Sequence, residues 1–204
     1  MRDSFIMRPA RILVVPGSNR TGSYNARLAG TIAKALALAE CEVTRISLRD
    51  YAMPVYDADL EAAKGQPENA FRLARLFHEM DGVVLVSPEY NTSISPLMKN
   101  MIDWISRVSD DGRGKLTPYR GKVFAIAAAS AGNYGGMRGL IHLRGILVNL
   151  GALVISEQLA LANVDRALDE NDLIKDDRMR RILNSMVKSI VEKAALFSTR
   201  RLEA

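Results

Sequence analysis

The feature that most constrains this chain is a regular alternation of apolar strand-like runs and helical patterns. The strand-like runs cover residues 11–16, 42–48, 82–87, 122–129 and 152–156. Apolar residues recur at helical spacing in residues 23–40, 67–80, 95–108, 135–150 and 171–199. Strands that alternate with helices favour a parallel sheet covered by helices on both faces. The pattern therefore predicts an α/β fold.

The length of 204 residues suits one domain. Residues 1–10 are interpreted as a flexible N-terminal arm, and residues 11–204 as a single domain. The opening lacks the apolar segment of a signal peptide, and no run of about 18 apolar residues predicts a membrane span. We therefore expect a cytoplasmic protein without a membrane partner. Residues 49–66 are turn-rich and irregular, and residues 109–115 (SDDGRGK) are expected to form a mobile flap or interface loop.

The charge balance and the single cysteine exclude several classes of function. The formal net charge is +5, but basic residues are mixed with acidic ones along the whole chain. Because no basic stripe with interleaved aromatics is present, we expect no nucleic-acid partner. The positive charge is interpreted either as a solvated surface or as a field that attracts anionic nucleotides. Cys41 has no second cysteine to pair with, and no residues show metal-ligand spacing.

Ligands of open parallel sheets bind at the carboxyl ends of the strands. The loops after the first, third and fourth strands are thus the places to look for a site. The first loop, GSNRTGSYN (residues 17–25), leads into a helix start and offers Ser18, Ser23 and the Arg20 guanidinium, which together suit a phosphate. Its glycine spacing fits neither the P-loop nor the dinucleotide fingerprint. An ordinary capped helix after a polar turn is the alternative interpretation.

Two further loops carry side chains suited to a flat ligand. PEYNTS (residues 88–93) offers Tyr90 to cover an aromatic ring and Asn91 to bond to polar ring atoms. SAGNYGGMR (residues 130–138) contains glycines that allow close approach of the backbone. Each loop alone could be an ordinary connection, but three ligand-compatible loops at one edge favour a binding site. His78 and His142 fall on helical segments away from these loops and are interpreted as structural.

These three loops together resemble the NADPH-dependent FMN reductase family. The first matches its Gly-Ser-x-Arg-x-x-Ser-x-Asn pattern. PEYNTSISPLMKNMIDW resembles its Pro-Glu-Tyr-Asn segment with the following Lys-Asn and Asp-Trp, and SAGNYGGMR is similar to its glycine-rich loop. The resemblance runs from about residue 11 to residue 159. One departure is Ser93-Ile94-Ser95-Pro96, where a common form of the family has Ser-Ile-Pro-Gly.

The resemblance implies a flavodoxin-like three-layer sandwich with a five-stranded parallel sheet in the order 2-1-3-4-5. It also implies bound FMN, with NADPH or NADH as the reductant. By this resemblance Ser18, Arg20, Ser23 and Asn25 hold the FMN phosphate. The flavin and ribityl chain are lined by Pro88, Glu89, Tyr90 and Asn91, and the isoalloxazine edge is closed by Ser130, Gly132 and Gly135.

The resemblance further implies hydride transfer from the nicotinamide to N5 of the flavin, and from there to a small acceptor. No side-chain acid or base is required, because the cofactor carries the chemistry. The acceptor is expected to be a flavin, a quinone, an azo compound or chromate. A flavodoxin-like electron carrier and a non-enzymatic binding module are the alternative functions. The family also implies a homodimer or homotetramer, to which Tyr90, Trp104 and Arg107 could contribute, although Trp104 fits core packing as well.

Overall fold

A computed structural model describes residues 8–109 and 116–202, with only the backbone described for residues 198–202. Residues 1–7 of the expected arm and residues 110–115 of the expected flap therefore lie outside the described residues. The strands are β1 (Arg11–Pro16), β2 (Glu42–Arg45), β3 (Gly82–Val86), β4 (Glu89–Tyr90), β5 (Ser93–Ile94), β6 (Val123–Ala129) and β7 (Leu153–Leu161). The helices are α1 (Tyr24–Leu38), α2 (Ala58–Lys64), α3 (Glu68–Glu79), α4 (Pro96–Arg107), α5 (Met137–Asn149), α6 (Val164–Ala167) and α7 (Asp177–Leu202).

The central sheet is parallel and has the order β2-β1-β3-β6-β7. Without the short β4 and β5, this is the expected order 2-1-3-4-5, so the α/β flavodoxin-like prediction is confirmed. Successive side chains of a strand point to opposite faces. Accordingly Val83 and Leu85 of β3 join one apolar cluster with α3, α4 and α5, whereas Val84 and Val86 join a second with α1 and α7.

Several segments differ from the sequence predictions. The second strand ends at Arg45, three residues before its predicted end, and the last helix begins at Asp177 and not near residue 171. Residues 49–66, expected to be irregular, contain most of a 3-10 turn (Leu48–Tyr51) and the short helix α2. The last strand extends to Leu161, five residues beyond the predicted end. Residues 89–94 form the small antiparallel hairpin β4–β5, which alternation of apolar residues could not reveal because each strand has only two residues. None of these differences changes the sheet order.

The start of β1 is fixed by a buried carboxylate. Asp81 accepts hydrogen bonds from the Arg8 guanidinium at 2.7 and 2.8 Å and from the Arg11 amide at 2.8 Å. Burial raises the pKa of Asp81, but these donors outweigh it and hold the pKa below its ordinary value. Ala10 is also buried. Residues 8–10, which were expected to belong to the flexible arm, therefore contact the domain.

None of the helices in residues 8–109 and 116–202 is both long enough and apolar enough to span a bilayer.

Candidate active site

The three predicted loops converge on one cleft at the carboxyl edge of the sheet. The cleft contains about 470 Å³ of atom-free space, part of it open to solvent. Its lining includes most of the candidate residues, namely Ser18, Arg20, Ser23, Asn25, Pro88, Glu89, Tyr90 and Ser130. It also includes Tyr24, Ala129 and Ala131, which the sequence did not single out. The candidates Asn91, Gly132 and Gly135 lie in the same loops without lining the cleft.

The first loop is tied to the sheet and ends in the cap of α1. The Gly17 amide donates to the Val86 carbonyl at 2.8 Å, and the Ser95 hydroxyl donates to the Gly17 carbonyl at 2.7 Å. Ser23 caps α1 by accepting a hydrogen bond from the Ala26 amide at 3.3 Å. The amides of Tyr24 and Asn25 in the first turn are left for a ligand, as at any helix start. With the helix dipole, they form a site suited to an anion.

The cation of this loop is the exposed guanidinium of Arg20, which lies 5.6 Å from the centroid of the Tyr24 ring. The backbone amide of Arg20 donates to the Ser18 hydroxyl at 3.4 Å, and the Arg20 carbonyl accepts from the Ser23 amide at 3.1 Å. These bonds hold the loop in a tight turn around the helix start. A guanidinium beside a helix N-terminus supplies both the charge and the donors that a phosphate needs.

Asn25 joins the first loop to the end of β6. Its side chain is 3% exposed. The Asn25 amide group donates to the Ala129 carbonyl at 2.8 Å and accepts from the Ala129 amide at 2.9 Å. Because both ends of the side chain are bonded to the backbone of one residue, Asn25 fixes the first loop against the third.

The second loop is the β4–β5 hairpin, which is held against α5. Asn91 and Thr92 at its tip both have positive φ, 48° and 67°, as in the primed turns that suit two-residue hairpins. Tyr90 is 52% exposed beside the cleft. The Glu89 carboxylate accepts hydrogen bonds from the Gly139 amide at 3.1 Å and from Arg138 Nε at 2.9 Å. Glu89 is thus bonded to α5.

The third loop requires two glycines. Gly135 and Gly136 have φ of 59° and 86°, a region that other residues rarely adopt. A Cβ on Gly135 would lie 2.7 Å from the Ala162 nitrogen, and one on Gly136 would lie 2.5 Å from the Ala128 Cβ. The loop is also bonded to the end of β7, because the Asn163 amide donates to the Gly132 carbonyl at 3.3 Å. The backbone therefore packs closely at this side of the cleft.

One of the two histidines lies closer to the site than expected. His142 Nδ1 is 3.1 Å from the Ser93 hydroxyl of the second loop, so the prediction that His142 lies away from the three loops is wrong. The sequence could not show this, because α5 returns across the hairpin only in the folded chain. His78 Nε2 is 3.1 Å from the Thr117 hydroxyl. Within the described parts of the chain, no group of histidine, cysteine, aspartate and glutamate side chains could hold a metal ion.

Trp104 and Arg107, considered for an interface, make contacts within the chain. Trp104 is fully buried and donates from Nε1 to the Pro54 carbonyl at 2.8 Å, which agrees with core packing. Arg107 forms an ion pair with Glu61 at 3.0 Å. The helix after the second loop begins as expected, with Ser95 as its cap and Pro96 in its first turn.

The donors of the cleft fit a flat ligand that carries a phosphate. A helix start and Arg20 offer an anion site, Tyr90 offers an aromatic surface, and the paired glycines allow the loop backbone to pack closely. FMN combines a phosphate with a planar ring system, so the residues present fit this cofactor.

Comparison with known proteins also points to an FMN-binding reductase. The model of the family described as NADPH-dependent FMN reductase matches residues 10–166. A quinone reductase of Escherichia coli K12 is 40% identical over 148 residues, which cover 72% of this chain and 74% of that protein. An NAD(P)H-dependent FMN reductase of Pseudomonas aeruginosa is 30% identical over 182 residues, covering 88% and 92%. Among solved structures, the flavoenzyme NAD(P)H:(acceptor) oxidoreductase FerB of Paracoccus denitrificans has a TM-score of 0.73 at 26% identity, covering 91% of this chain and 97% of that one.

Proposed function

This chain belongs to the NADPH-dependent FMN reductase family, and from that premise we propose that it reduces a small quinone. It is an oxidoreductase that uses FMN and NAD(P)H. The observation that carries the proposal is the convergence of three loops on one cleft, with an anion site at one end and the exposed Tyr90 at its rim. The quinone as acceptor is supported by similarity to proteins named quinone reductase. A free flavin, an azo compound and chromate are the competing acceptors.

The chemistry that FMN supplies when bound is electron transfer between NAD(P)H and the acceptor. The residues of this chain bind FMN and orient it. The helix start, Ser18 and Arg20 hold the phosphate, and Asn25 fixes the loop that carries them. Glu89 sets the hairpin so that Pro88 and Tyr90 flank the ring system, with Asn91 in the turn beside them. Ser130, Gly132 and Gly135 shape the loop at the opposite edge.

The direct test is spectroscopic and then kinetic. The protein is purified with FMN added, freed of unbound flavin, and mixed with NADPH without oxygen. We expect the visible flavin absorption to bleach, and to return when a benzoquinone is added. Rates with benzoquinone, FMN, an azo dye and chromate are then compared at equal NADPH. A protein that neither retains FMN nor oxidises NADPH would refute the oxidoreductase, and a higher kcat/KM for another acceptor would refute the quinone.

Removal of the Arg20 charge is expected to weaken FMN binding. Arg20→Gln deletes a charge-assisted contact, which is worth about 1.5–3 kcal/mol, so the Kd for FMN should rise by about tenfold or more. The Kd is measured by fluorescence quenching of FMN during titration with the apoprotein. Riboflavin, which lacks the phosphate, is the matched ligand, and its Kd should hardly change. An equal loss for riboflavin and FMN would contradict a phosphate role for Arg20.

We propose that a second copy of the chain covers an apolar face beside the cleft. Met137, Ile141 and Val148 lie on one side of α5, and Ile141 is 62% exposed. This helix follows directly from the third loop, so a partner there would lie close to the cleft. Ile141→Glu is expected to yield monomers in sedimentation velocity. Leu38→Glu, at an 88% exposed position at the end of α1, is the control that stays oligomeric. A monomeric wild-type protein would refute the proposal.

A further inference from the structure

A second cleft lies on the other side of the first loop, between that loop, the start of α1 and the end of β2. It contains about 870 Å³ of atom-free space, part of it open to solvent. We call it the arginine cleft, because Arg20, Arg45 and Arg49 all line it. Ser18 and Arg20 also line the cleft described above, so the two are neighbours.

The arginine cleft carries an excess of positive charge. Asp50 is the one carboxylate in its lining. Arg27, Arg107 and Arg138 each pair with a carboxylate elsewhere. Among the residues that the structure describes, no ion pair is formed by the three arginines of this cleft. Guanidinium groups gathered without counter-charges attract an anion, and their fork of donors suits a phosphate.

Backbone contacts hold two of these guanidinium groups in place. Arg49 donates from Nη2 to the Asn19 carbonyl at 2.6 Å, and Arg45 donates from Nη1 to the Ala26 carbonyl at 3.4 Å. Arg45 also lies against Gly30 of α1, where an added Cβ would be 3.0 Å from Arg45 Nη1. Each guanidinium keeps further N–H groups for a ligand.

The same cleft contains a polar atom that lacks a partner. Asn19 lines it, and Asn19 Oδ1 is buried with no hydrogen-bond partner in the described residues. Such an atom is uncommon in a folded protein and needs a donor. As the loop stands, Asn19 Oδ1 is closed to solvent, so a ligand can reach it only if the loop moves. The arginines alone therefore suit the phosphate of a ligand such as a phosphorylated ribose.

We propose that the arginine cleft binds the 2′-phosphate of NADPH, and that Arg45 and Arg49 thereby make the chain prefer NADPH to NADH. This inference rests on the proposed function, because it takes the nicotinamide end of the same molecule to lie in the flavin cleft. The two dinucleotides differ only by this phosphate. NADH would leave Arg45 and Arg49 without an anion, whereas NADPH supplies one.

The first test measures binding without turnover. The FMN-supplemented protein is titrated calorimetrically with adenosine 2′,5′-bisphosphate and, separately, with adenosine 5′-monophosphate. We expect the bisphosphate to bind at least about tenfold more tightly. The double variant Arg45→Gln/Arg49→Gln should lose this preference. Arg120→Gln, which removes an exposed charge beside the start of β6, should keep it. Equal binding of both nucleotides by the wild type would overturn the inference.

The second test separates this inference from the proposed function. In the double variant, KM for NADPH should rise about tenfold or more, while the ratio of kcat/KM for NADPH over NADH falls toward one. A ratio that stays at the wild-type value overturns the inference and leaves the reductase intact. A loss of FMN affinity in place of NADPH affinity also overturns it, because the arginines would then serve the flavin phosphate. If NADPH is not oxidised at all, the proposed function fails, and the nucleotide titration still decides what the cleft binds.

Discussion

Gly136→Ala is expected to lower the free energy of unfolding by about 2–4 kcal/mol. An alanine at φ 86° is strained, which costs about 1 kcal/mol. Its Cβ would lie 2.5 Å from the Ala128 Cβ on a central strand, and overpacking of this kind costs about 1–3 kcal/mol more. The loop can relieve the clash only by moving out from β6, into the space where the flavin edge is proposed to lie. We therefore expect FMN affinity to fall as well.

Urea denaturation of the apoprotein, followed by circular dichroism, measures this loss. Gly121→Ala is the matched control, because Gly121 has a similar φ of 69° but no heavy atom within 4 Å of its Cβ position. The free energy of unfolding of Gly121→Ala should fall only by the part due to φ, about 1 kcal/mol. The FMN affinity of this variant should equal that of the wild type. Equal losses of stability in the two variants would contradict the clash with Ala128.

The fold could be predicted because its determinants are local and repeated. The buried strand Gly82–Val86 is apolar throughout, which identifies a strand covered on both faces. Ser95 and Pro96 indicated the start of α4, because a cap residue followed by proline is typical of the first turn of a helix. By contrast, the β4–β5 hairpin turns on Asn91 and Thr92, and its strands are too short to show a period.

The site was predictable in its loops but not in its contacts. Sheet topology alone brings the loops after β1, β3 and β6 to one edge, so the grouping followed from the order of elements. The bond between Asn25 and Ala129 joins residues 104 positions apart, and no local pattern encodes it. Arg45 and Arg49 also gave no signal, because a cation at the end of a strand or in the turn after it usually faces solvent. Only packing against α1 and the first loop shows that they share a cleft.

Asn25→Ala is expected to destabilise the protein and to weaken FMN binding. The change removes two hydrogen bonds and leaves the Ala129 amide and carbonyl without these partners in a buried place. Each unsatisfied group costs about 1–3 kcal/mol, so the free energy of unfolding should fall by about 2–6 kcal/mol. The first loop then loses its tie to the third. The first loop is proposed to hold the phosphate of FMN and the third loop to hold its ring, so FMN binds well only when the two loops keep their relative position. We therefore expect the Kd for FMN to rise at least about tenfold in the folded protein.

A second asparagine serves as a control that separates an effect on the positions of the loops from an effect on the free energy of unfolding. Asn100 makes the same kind of bridge but does not line the flavin cleft, accepting from the Tyr56 amide at 2.8 Å and donating to the Pro54 carbonyl at 2.9 Å. Asn100→Ala should therefore lose stability and keep the FMN affinity of the wild type, both measured at a temperature where each variant is folded. Asn25→Asp retains the acceptor for the Ala129 amide but sets a carboxylate against the Ala129 carbonyl and near the proposed phosphate site, so it should not rescue binding. If Asn100→Ala weakens FMN as much as Asn25→Ala does, the effect follows stability alone and Asn25 is not a positioning residue.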